Sequence, residues 1–167
     1  ISGAIDSASL TSDSVRKSSG FLSSTKTTTR ESVTDQSVVA STLSGDTVSL
    51  RSTGDTNILG SNVVATNGVS IAAGGNVTIG TVAATDTSDQ SEKVKKSGLS
   101  VSFGNGGLSV FAGVAKNATT SSTTAVNNTG SLVGASNGDV TIIAGDKLTV
   151  KGSTVAASGD TTLIGKS

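Results

Sequence analysis

The sequence contains no histidine, cysteine, methionine, tryptophan, tyrosine or proline among its 167 residues. Without cysteine the chain has no disulfide, no thiolate nucleophile and no sulfur ligand for zinc. Without histidine it lacks the usual general base near neutral pH and the commonest metal ligand. These absences exclude most catalytic classes, and we expect the chain to have no enzyme activity, no cofactor and no metal site.

Charge and aromatic content argue against a nucleic-acid binder. The 12 Lys and Arg residues balance the 12 Asp and Glu residues, and the aromatic residues are Phe21, Phe103 and Phe111. The basic surface with stacking rings that binds single-stranded nucleic acid is therefore not expected. The sequence also has no initial Met, no signal-peptide pattern and no apolar run near the roughly 18 residues of a membrane helix, so we interpret it as a segment of a longer protein.

The apolar residues, 34% of the chain, occur as short Val, Ile, Leu and Ala runs between Gly, Ser, Thr, Asn and Asp. Short β-branched runs bounded by Gly-Asx steps are typical of strands. Apolar residues hold a 3.6-residue period nowhere over ten positions without an interruption, which argues against helices. The composition therefore predicts an all-β protein.

A Gly-Asp step recurs at residues 138, 145 and 159, at spacings of 7 and 14. The numbers of Gly138 and Gly159 differ by 21, and so do those of Gly54 and Gly75. A coil of that length divided into thirds explains both observations, with Gly152-Ser153 at the corner where the step is missing. Gly suits such corners because it adopts positive φ without steric cost.

Within the strands, apolar and polar residues alternate. Pairs such as Val140 and Ile142, Leu148 and Val150, Val77 and Ile79, Val48 and Leu50, and Val69 and Ile71 would face inward, with Thr and Ser between them facing out. Strands this short bury little alone, but stacked coils would pile like side chains into interior ladders. The pattern predicts a parallel β-helix with about 21 residues per turn, the interval between the recurring glycines.

A larger repeat divides residues 1–167, a single predicted β-helix segment, into copies at about 12–90 and 91–167. RKSSGF at 16–21 resembles KKSGL at 95–99, and a Val/Ser/Thr passage followed by Gly-Asx strands comes after each. Between its matching blocks the second copy contains additional residues, located at 98–113, where two alternating runs flank Gly-Asn-Gly-Gly. This pattern predicts a β-hairpin, either projecting from the helix or folded back on it.

The blocks VKKSGL and GASNGDVTIIAGDKLTVKGSTVAASGDTTLIG resemble the haemagglutinin repeats of filamentous-haemagglutinin-like two-partner-secreted exoproteins, and most closely the second repeat region of contact-dependent growth inhibition exoproteins. The resemblance implies a right-handed β-helical filament on the surface of a Gram-negative bacterium, exported through an outer-membrane partner transporter. It implies a structural shaft that serves toxin delivery and contacts the outer membrane or a receptor of the target cell. The alternative is the stalk of an adhesin that binds host surfaces or matrix.

Three kinds of candidate site remain. The corner aspartates could ligate calcium, but the nonapeptide pattern for such ligation is absent apart from one nine-residue gap between Gly45 and Gly54, so turn chemistry is favoured. Polysaccharide cleavage would need paired carboxylates, whereas the acids here are dispersed. Lys93, Lys95, Lys96, Phe103 and Phe111 are candidates for contact with a membrane or partner; the alternative for the lysines is a solvated face.

Overall fold

A computed structural model describes residues 1–104 and 107–166; at residues 100–104, 109 and 111 the description covers the backbone alone. The described residues form thirteen strands. The long strands are β1 (Ala4–Ser19), β2 (Ser23–Val39), β3 (Thr42–Ser52), β5 (Asn62–Ala73), β7 (Val82–Gly104) and β8 (Gly107–Thr129). The short strands are β4 (Thr56–Leu59), β6 (Val77–Gly80), β9 (Leu132–Ala135), β10 (Asp139–Ala144), β11 (Leu148–Val150), β12 (Thr154–Ala157) and β13 (Thr161–Ile164). The predicted all-β class is confirmed.

The strands divide between two compact units. One unit, which we call the parallel unit, comprises residues 1–7, 36–85 and 126–167. The other, the hairpin unit, comprises residues 8–35 and 86–125. Each unit draws on both of the sequence copies at 12–90 and 91–167, so the spatial division does not follow the division of the sequence.

The parallel unit contains two parallel sheets. In the larger sheet β3 pairs with β5 along one edge, and β9 and β10 pair with the other edge of β5. Strands β12 and β13 then extend β9 and β10. The smaller sheet has the order β11-β6-β4. Every strand pair in the two sheets is parallel, which places successive segments of the chain one above another.

The register of these ladders follows the spacing seen in the sequence. Within a copy, Thr56 lies opposite Val77 and Val140 opposite Thr161. The corner hydrogen bonds beside these pairs have the same offset, because each joins residues whose numbers differ by 21. Between copies, Ser70 lies opposite Thr141, and at a nearby corner the Lys147 backbone N–H donates to the Asn76 side-chain oxygen at 3.2 Å; in both cases the residue numbers differ by 71.

The ladder between β3 and β5 contains one irregularity. Gly45 lies opposite Ala65, whereas Thr47 lies opposite Gly68. The register therefore shifts by one residue between Gly45 and Thr47, at a Gly-Asp corner.

The core of the parallel unit consists of inward-facing residues on alternate strand positions. Fully buried examples are Ile58, Val63, Ile71, Ile79, Val133, Val140 and Ile142. Residues of equal position stack, as Val69 does on Val140 and Ile71 on Ile142. The predicted inward orientation is confirmed for most pairs, and each buried Val or Ile contributes about 1.5 to 3 kcal/mol relative to exposure.

Val150 departs from the predicted pattern, because 40% of its surface is exposed. Its register partner Ile79 is fully buried. The difference follows from position: β11 is the outer strand of its sheet, so no further described coil covers Val150. An outer strand does not always leave its inward-facing residue exposed, because Ile58 on β4, at the other edge of this sheet, is fully buried.

Two serines are also buried in this core, at a corner of the coil. The Ser131 hydroxyl donates to the carbonyl oxygens of Gly80 (2.7 Å) and Ile58 (3.1 Å), and the Ser61 hydroxyl donates to the Leu59 carbonyl oxygen (2.8 Å). The Ser61 backbone N–H donates to the Ser131 hydroxyl oxygen at 3.2 Å. Because each hydroxyl is satisfied, the polar corner can be buried without an energetic penalty for an unpaired group.

The hairpin unit contains one four-stranded sheet in the order β1-β2-β7-β8. β2 and β7 are antiparallel over twelve register pairs, from Ser23 opposite Gly98 to Thr34 opposite Thr87. Only three residues separate β1 from β2, and a connection this short requires an antiparallel pair. The first sequence copy therefore has a long hairpin of its own, where the sequence analysis expected none.

The segment predicted as a hairpin, 98–113, lies in β7 and β8, which are neighbours in the sheet. These strands extend far beyond the predicted bounds, because they also pair along residues that have no apolar alternation. The β2–β7 register ends at Gly98. Gly98 and Gly113, at the two ends of the predicted segment, have φ of 119° and 143°, values that favour glycine. The turn residues 105 and 106 lie outside the described residues.

Candidate functional site

The hairpin unit presents both faces of a polar sheet. None of its described residues, within 8–35 and 86–125, is buried. Ser and Thr occupy many positions on both faces, so no hydrophobic layer covers either side of the described sheet. A sheet of this kind exposes a large hydrogen-bonding and charged surface, and such a surface is where contacts with other molecules are expected.

A basic cleft of about 360 Å³ lies on one face of this sheet. Its lining residues are Lys26, Thr28, Lys93, Val94, Lys95, Lys116, Asn117 and Ala118. Lys93 and Lys95 are two residues apart and therefore share a face of β7. The strands bring Lys26 and Lys116 to the two lysines that the sequence analysis singled out. Sequence proximity alone does not indicate either of them, because they come from β2 and β8.

Lys96 does not share this cleft. Neighbouring residues on a strand point to opposite faces, so Lys96 points away from the face that Lys95 occupies. It lies opposite Thr25, and it is absent from the lining of the cleft. The charge run 93–96 is thus divided between the two faces of the sheet.

The cleft brings like charges together. Lys26 lies directly opposite Lys95 in the β2–β7 register, and like charges in that arrangement destabilise a sheet. The lining contains no acidic residue. In the described part of the chain, the ion pair of this sheet joins the Arg30 Nε and an Asp13 carboxylate oxygen at 3.5 Å, with both side chains mainly exposed. The charge at the cleft is therefore left uncompensated by carboxylates.

The end of the sheet nearest the β1–β2 connection is apolar. The exposed residues there are Phe21, Leu22, Leu99, Leu108 and Val110, and Phe21 is 100% exposed. The Leu99 backbone N–H donates to the Leu22 carbonyl oxygen at 2.9 Å, which brings the two hairpins together at this level. Phe103 and Phe111 belong to β7 and β8, but their side chains lie outside the described residues.

The corner aspartates of the parallel unit act as turn residues. An Asp55 carboxylate oxygen accepts hydrogen bonds from the backbone N–H (2.7 Å) and side-chain amide (3.1 Å) of Asn76. An Asp139 carboxylate oxygen accepts from the Asp160 backbone N–H at 2.8 Å. These bonds cross from one coil to the next, because the residues that they join are 21 positions apart.

The corner glycines allow this close stacking. A side chain on Gly138 would collide with the backbone of Asn67, and one on Gly145 would collide with the backbone of Gly74. Neither glycine needs a positive φ for this role. The repeated Gly-Asp step is therefore explained by two requirements of a corner: a glycine where coils touch and a carboxylate that links them.

The described residues contain no cluster of three or more acidic residues that could hold a metal ion. The groove of the parallel unit, about 460 Å³, is lined by Ser44, Gly45, Val64, Ala65, Thr66, Leu132, Gly134, Ala135, Ser136 and Ala156, none of which is titratable. Across the described ranges there is also no helix with the length and hydropathy needed to span a membrane.

Comparison with known protein families agrees with the stacked coils. The hemagglutinin repeat family matches residues 2–95 and, in an overlapping alignment, residues 23–166. The chain belongs to the hemagglutinin repeat family. The resemblance identified in the sequence is thus confirmed.

Curated hemagglutinin-repeat relatives come from Gram-negative bacteria. The chain is similar to the "tRNA nuclease CdiA" of Escherichia coli strain 536, with 39% identity over 84 residues, which is 50% of this chain and 3% of that protein. It is also similar to the "16S rRNA endonuclease CdiA" of Enterobacter cloacae subsp. cloacae, with 38% identity over 87 residues, 52% of this chain and 3% of that protein. No solved structure matches significantly. The chain thus spans only a few per cent of the relatives' length.

Proposed function

We propose that the chain is a segment of a right-handed parallel β-helical shaft belonging to a secreted filamentous exoprotein. The turn has about 21 residues, because the hydrogen bonds that link successive coils join residues whose numbers differ by 21. The observation that carries the proposal is the parallel register that accompanies these bonds within each copy. The right-handed sense follows from the strong preference for right-handed crossovers between parallel strands. In this account the two sequence copies, 12–90 and 91–167, are successive units of the shaft.

The shaft serves the delivery of a toxin to neighbouring bacteria in contact-dependent growth inhibition. The support is the similarity to CdiA proteins, whose printed names describe nucleases. The matched segment is a repeat region of 3% of each relative, so we assign nuclease activity to other parts of such proteins and a non-catalytic role to this chain. The uncharged lining of the 460 Å³ groove fits that assignment.

The whole exoprotein reaches the bacterial surface through an outer-membrane partner transporter and meets the outer membrane or a receptor of the target cell. We assign the contact with the target to the apolar end of the hairpin unit and the lysines near it. Exposed Phe21 and Leu22 can enter an interfacial layer, and lysines are attracted to anionic headgroups by about 1 kcal/mol each. This extends the contact predicted at Lys93, Lys95, Lys96, Phe103 and Phe111 to Phe21 and Leu22.

The test uses the full exoprotein carrying the double substitution Leu22→Ser and Leu99→Ser. Both side chains are exposed, so secretion should be normal while inhibition of target cells falls about tenfold, as expected for about 1.4 kcal/mol of lost contact energy. Val126→Ser is the matched control, because Val126 is 57% exposed but belongs to the parallel unit.

Unchanged inhibition by the double variant contradicts the proposed target contact. The adhesin alternative, a stalk that binds host surfaces or matrix, draws support from the family name. It predicts a different outcome: adherence to host cells falls in the double variant, while inhibition of neighbouring bacteria is absent in the unaltered exoprotein too.

A further inference from the structure

Lysines occupy one level of the hairpin sheet across all four strands. Lys26 lies opposite Lys95, and Lys116 lines the same cleft. The position of Lys17 on β1 follows from its register with β2. In an antiparallel pair, the numbers of opposite residues have a constant sum, and the contacts Thr11–Ser32, Asp13–Arg30 and Gly20–Ser23 each give 43. Since 17 and 26 also add to 43, Lys17 lies opposite Lys26.

We call Lys17, Lys26, Lys95 and Lys116 the lysine row. All four are exposed, and none is in an ion pair within the described part of the chain. Adjacent strands lie about 4.8 Å apart, so the row is a line of positive charges perpendicular to the strands at that interval. Lys93 is two residues from Lys95 on β7, so it lies on the same face of the sheet, next to the lysine row.

Such a row costs stability in the free protein. Each lysine faces a like charge on the neighbouring strand, which is an unfavourable cross-strand pair. By contrast, Asp13 and Arg30 pair at 3.5 Å on the same face, four positions along the strand from Lys17 and Lys26. The sheet therefore balances its charge at one level and leaves it unbalanced at another, and an anionic ligand would remove the repulsion.

The shape of the charged strip favours a linear polymer over a membrane. The strip is narrow along the strands, because the Asp13–Arg30 pair bounds it on one side. A lipid surface would contact a broad face, whereas a chain lying across the strands would meet one lysine per strand. In an extended polyuronate each sugar carries one carboxylate, so the polymer is a linear array of negative charge, and the long, flexible lysine side chains can reach carboxylates on either edge of it.

We infer that the lysine row binds a linear acidic polysaccharide of the polyuronate class, laid across the four strands. Lys26, Lys95 and Lys116 pair with carboxylates of the polymer in the 360 Å³ cleft, and Lys17 continues the row at its edge. The Thr28 hydroxyl, which lines the cleft on the same face, is positioned to hydrogen-bond sugar hydroxyls. The inference builds on the proposed contact with a target surface, and it names the chemistry that one face of the hairpin unit recognises.

The test is a calorimetric titration of the 167-residue chain with a short oligogalacturonate at low and at physiological salt. We expect binding that weakens as salt rises, because exposed charge contacts are screened. The triple variant Lys26→Gln, Lys95→Gln and Lys116→Gln should bind roughly 100-fold more weakly, as expected for a loss of about fivefold per lysine. A neutral galactan of equal length should not bind.

Lys96→Gln is the matched control, because Lys96 adjoins Lys95 but points to the opposite face. It should retain oligogalacturonate affinity within about twofold, in keeping with the small effect of a remote exposed charge. Without ligand, Lys26→Gln should raise the Tm relative to the unaltered chain, because it removes a like-charge pair. That increase also shows that the variant is folded.

Three results would overturn the inference. The first is failure of the unaltered chain to bind oligogalacturonate. The second is an equal loss of oligogalacturonate affinity in Lys96→Gln and in the triple variant. The third is binding of the chain to anionic phosphatidylglycerol vesicles without binding to oligogalacturonate. Since this titration needs neither secretion nor a toxin, its failure is distinguishable from failure of the inhibition assay.

Discussion

At the residue scale, alternation of apolar and polar residues determines burial wherever coils lie on both sides. Ile142 is fully buried between its register partners Ile71 and Leu163. Its neighbour Ile143 points outward and is 40% exposed. Val150 has the same sequence character as Ile142 but lies on the outermost strand, and it is exposed to the same extent as Ile143. The sequence therefore predicts whether a side chain points inward or outward, whereas the extent of its burial also depends on what covers its strand.

Ile142→Ala should lower the free energy of unfolding by about 2 to 5 kcal/mol, because it leaves a cavity in the interior ladder. Ile143→Ala is the matched control in the same strand, and its effect should stay below about 1 kcal/mol because the side chain is partly solvated already. Denaturant unfolding of both variants measures the difference. Equal losses at the two positions would contradict the assignment of inner and outer faces.

At the element scale, the short strands of the parallel unit were predictable and the long strands of the hairpin unit were not. Val/Ile alternation between Gly-Asx corners indicates strands such as β6 and β10 directly. β2 reads SSTKTTTRESVTDQSVV, with little apolar alternation, since both of its faces are polar. Its strand conformation depends on backbone pairing with β7, most of which belongs to the second sequence copy. A single sequence offers no signal for such a partner.

The residues of the basic cleft were likewise only partly predictable from the sequence. The run 93–96 identified a basic strand, but pleating divides it between two faces, and the residues that complete the cleft come from β2 and β8. Lys26 and Lys116 are both distant from Lys95 in sequence. Their placement requires the registers between strands, which composition and spacing do not supply.

Removal of residues 99–112, with an Asn-Gly turn joining Gly98 to Gly113, tests the role of the predicted hairpin as an addition. The β2–β7 register ends at Gly98, so we expect the Tm to change by less than about 4 °C, equivalent to about 1 kcal/mol in a chain of this size. Thermal unfolding followed by circular dichroism measures the shift. A loss of cooperative unfolding would contradict the prediction.

The matched control for the truncation is Gly98→Val. Gly98 has positive φ, and an added side chain would collide with the backbone of Leu22. This single substitution should lower the Tm more than the deletion of residues 99–112, because it acts within the ladder that joins the two hairpins. Comparing the two Tm changes distinguishes the contribution of the β2–β7 ladder to stability from that of residues 99–112.

At the scale of the whole molecule, the chain alternates between two kinds of sheet. Residues 36–85 and 126–167 stack as parallel coils, and residues 86–125 between them form the second hairpin. The long offset between the register partners Ser70 and Thr141 therefore spans the remaining coil and an entire hairpin. The sequence repeat predicted two copies, but it did not show that a long antiparallel segment separates successive coils in both of them.

The most direct test of this account is disulfide formation between Ser70→Cys and Thr141→Cys, since the natural chain has no cysteine. Register partners on neighbouring parallel strands have Cα atoms about 4.8 Å apart, within the range for a disulfide. In the control pair, Ser70→Cys with Ile143→Cys, the Cα atoms are separated by more than about 7 Å because the register is displaced by two residues. Mild oxidation followed by mass spectrometry should show an intramolecular disulfide in the first pair and none in the second. The absence of a disulfide in the first pair, or equal disulfide yields in both pairs, would contradict the stacking of successive coils.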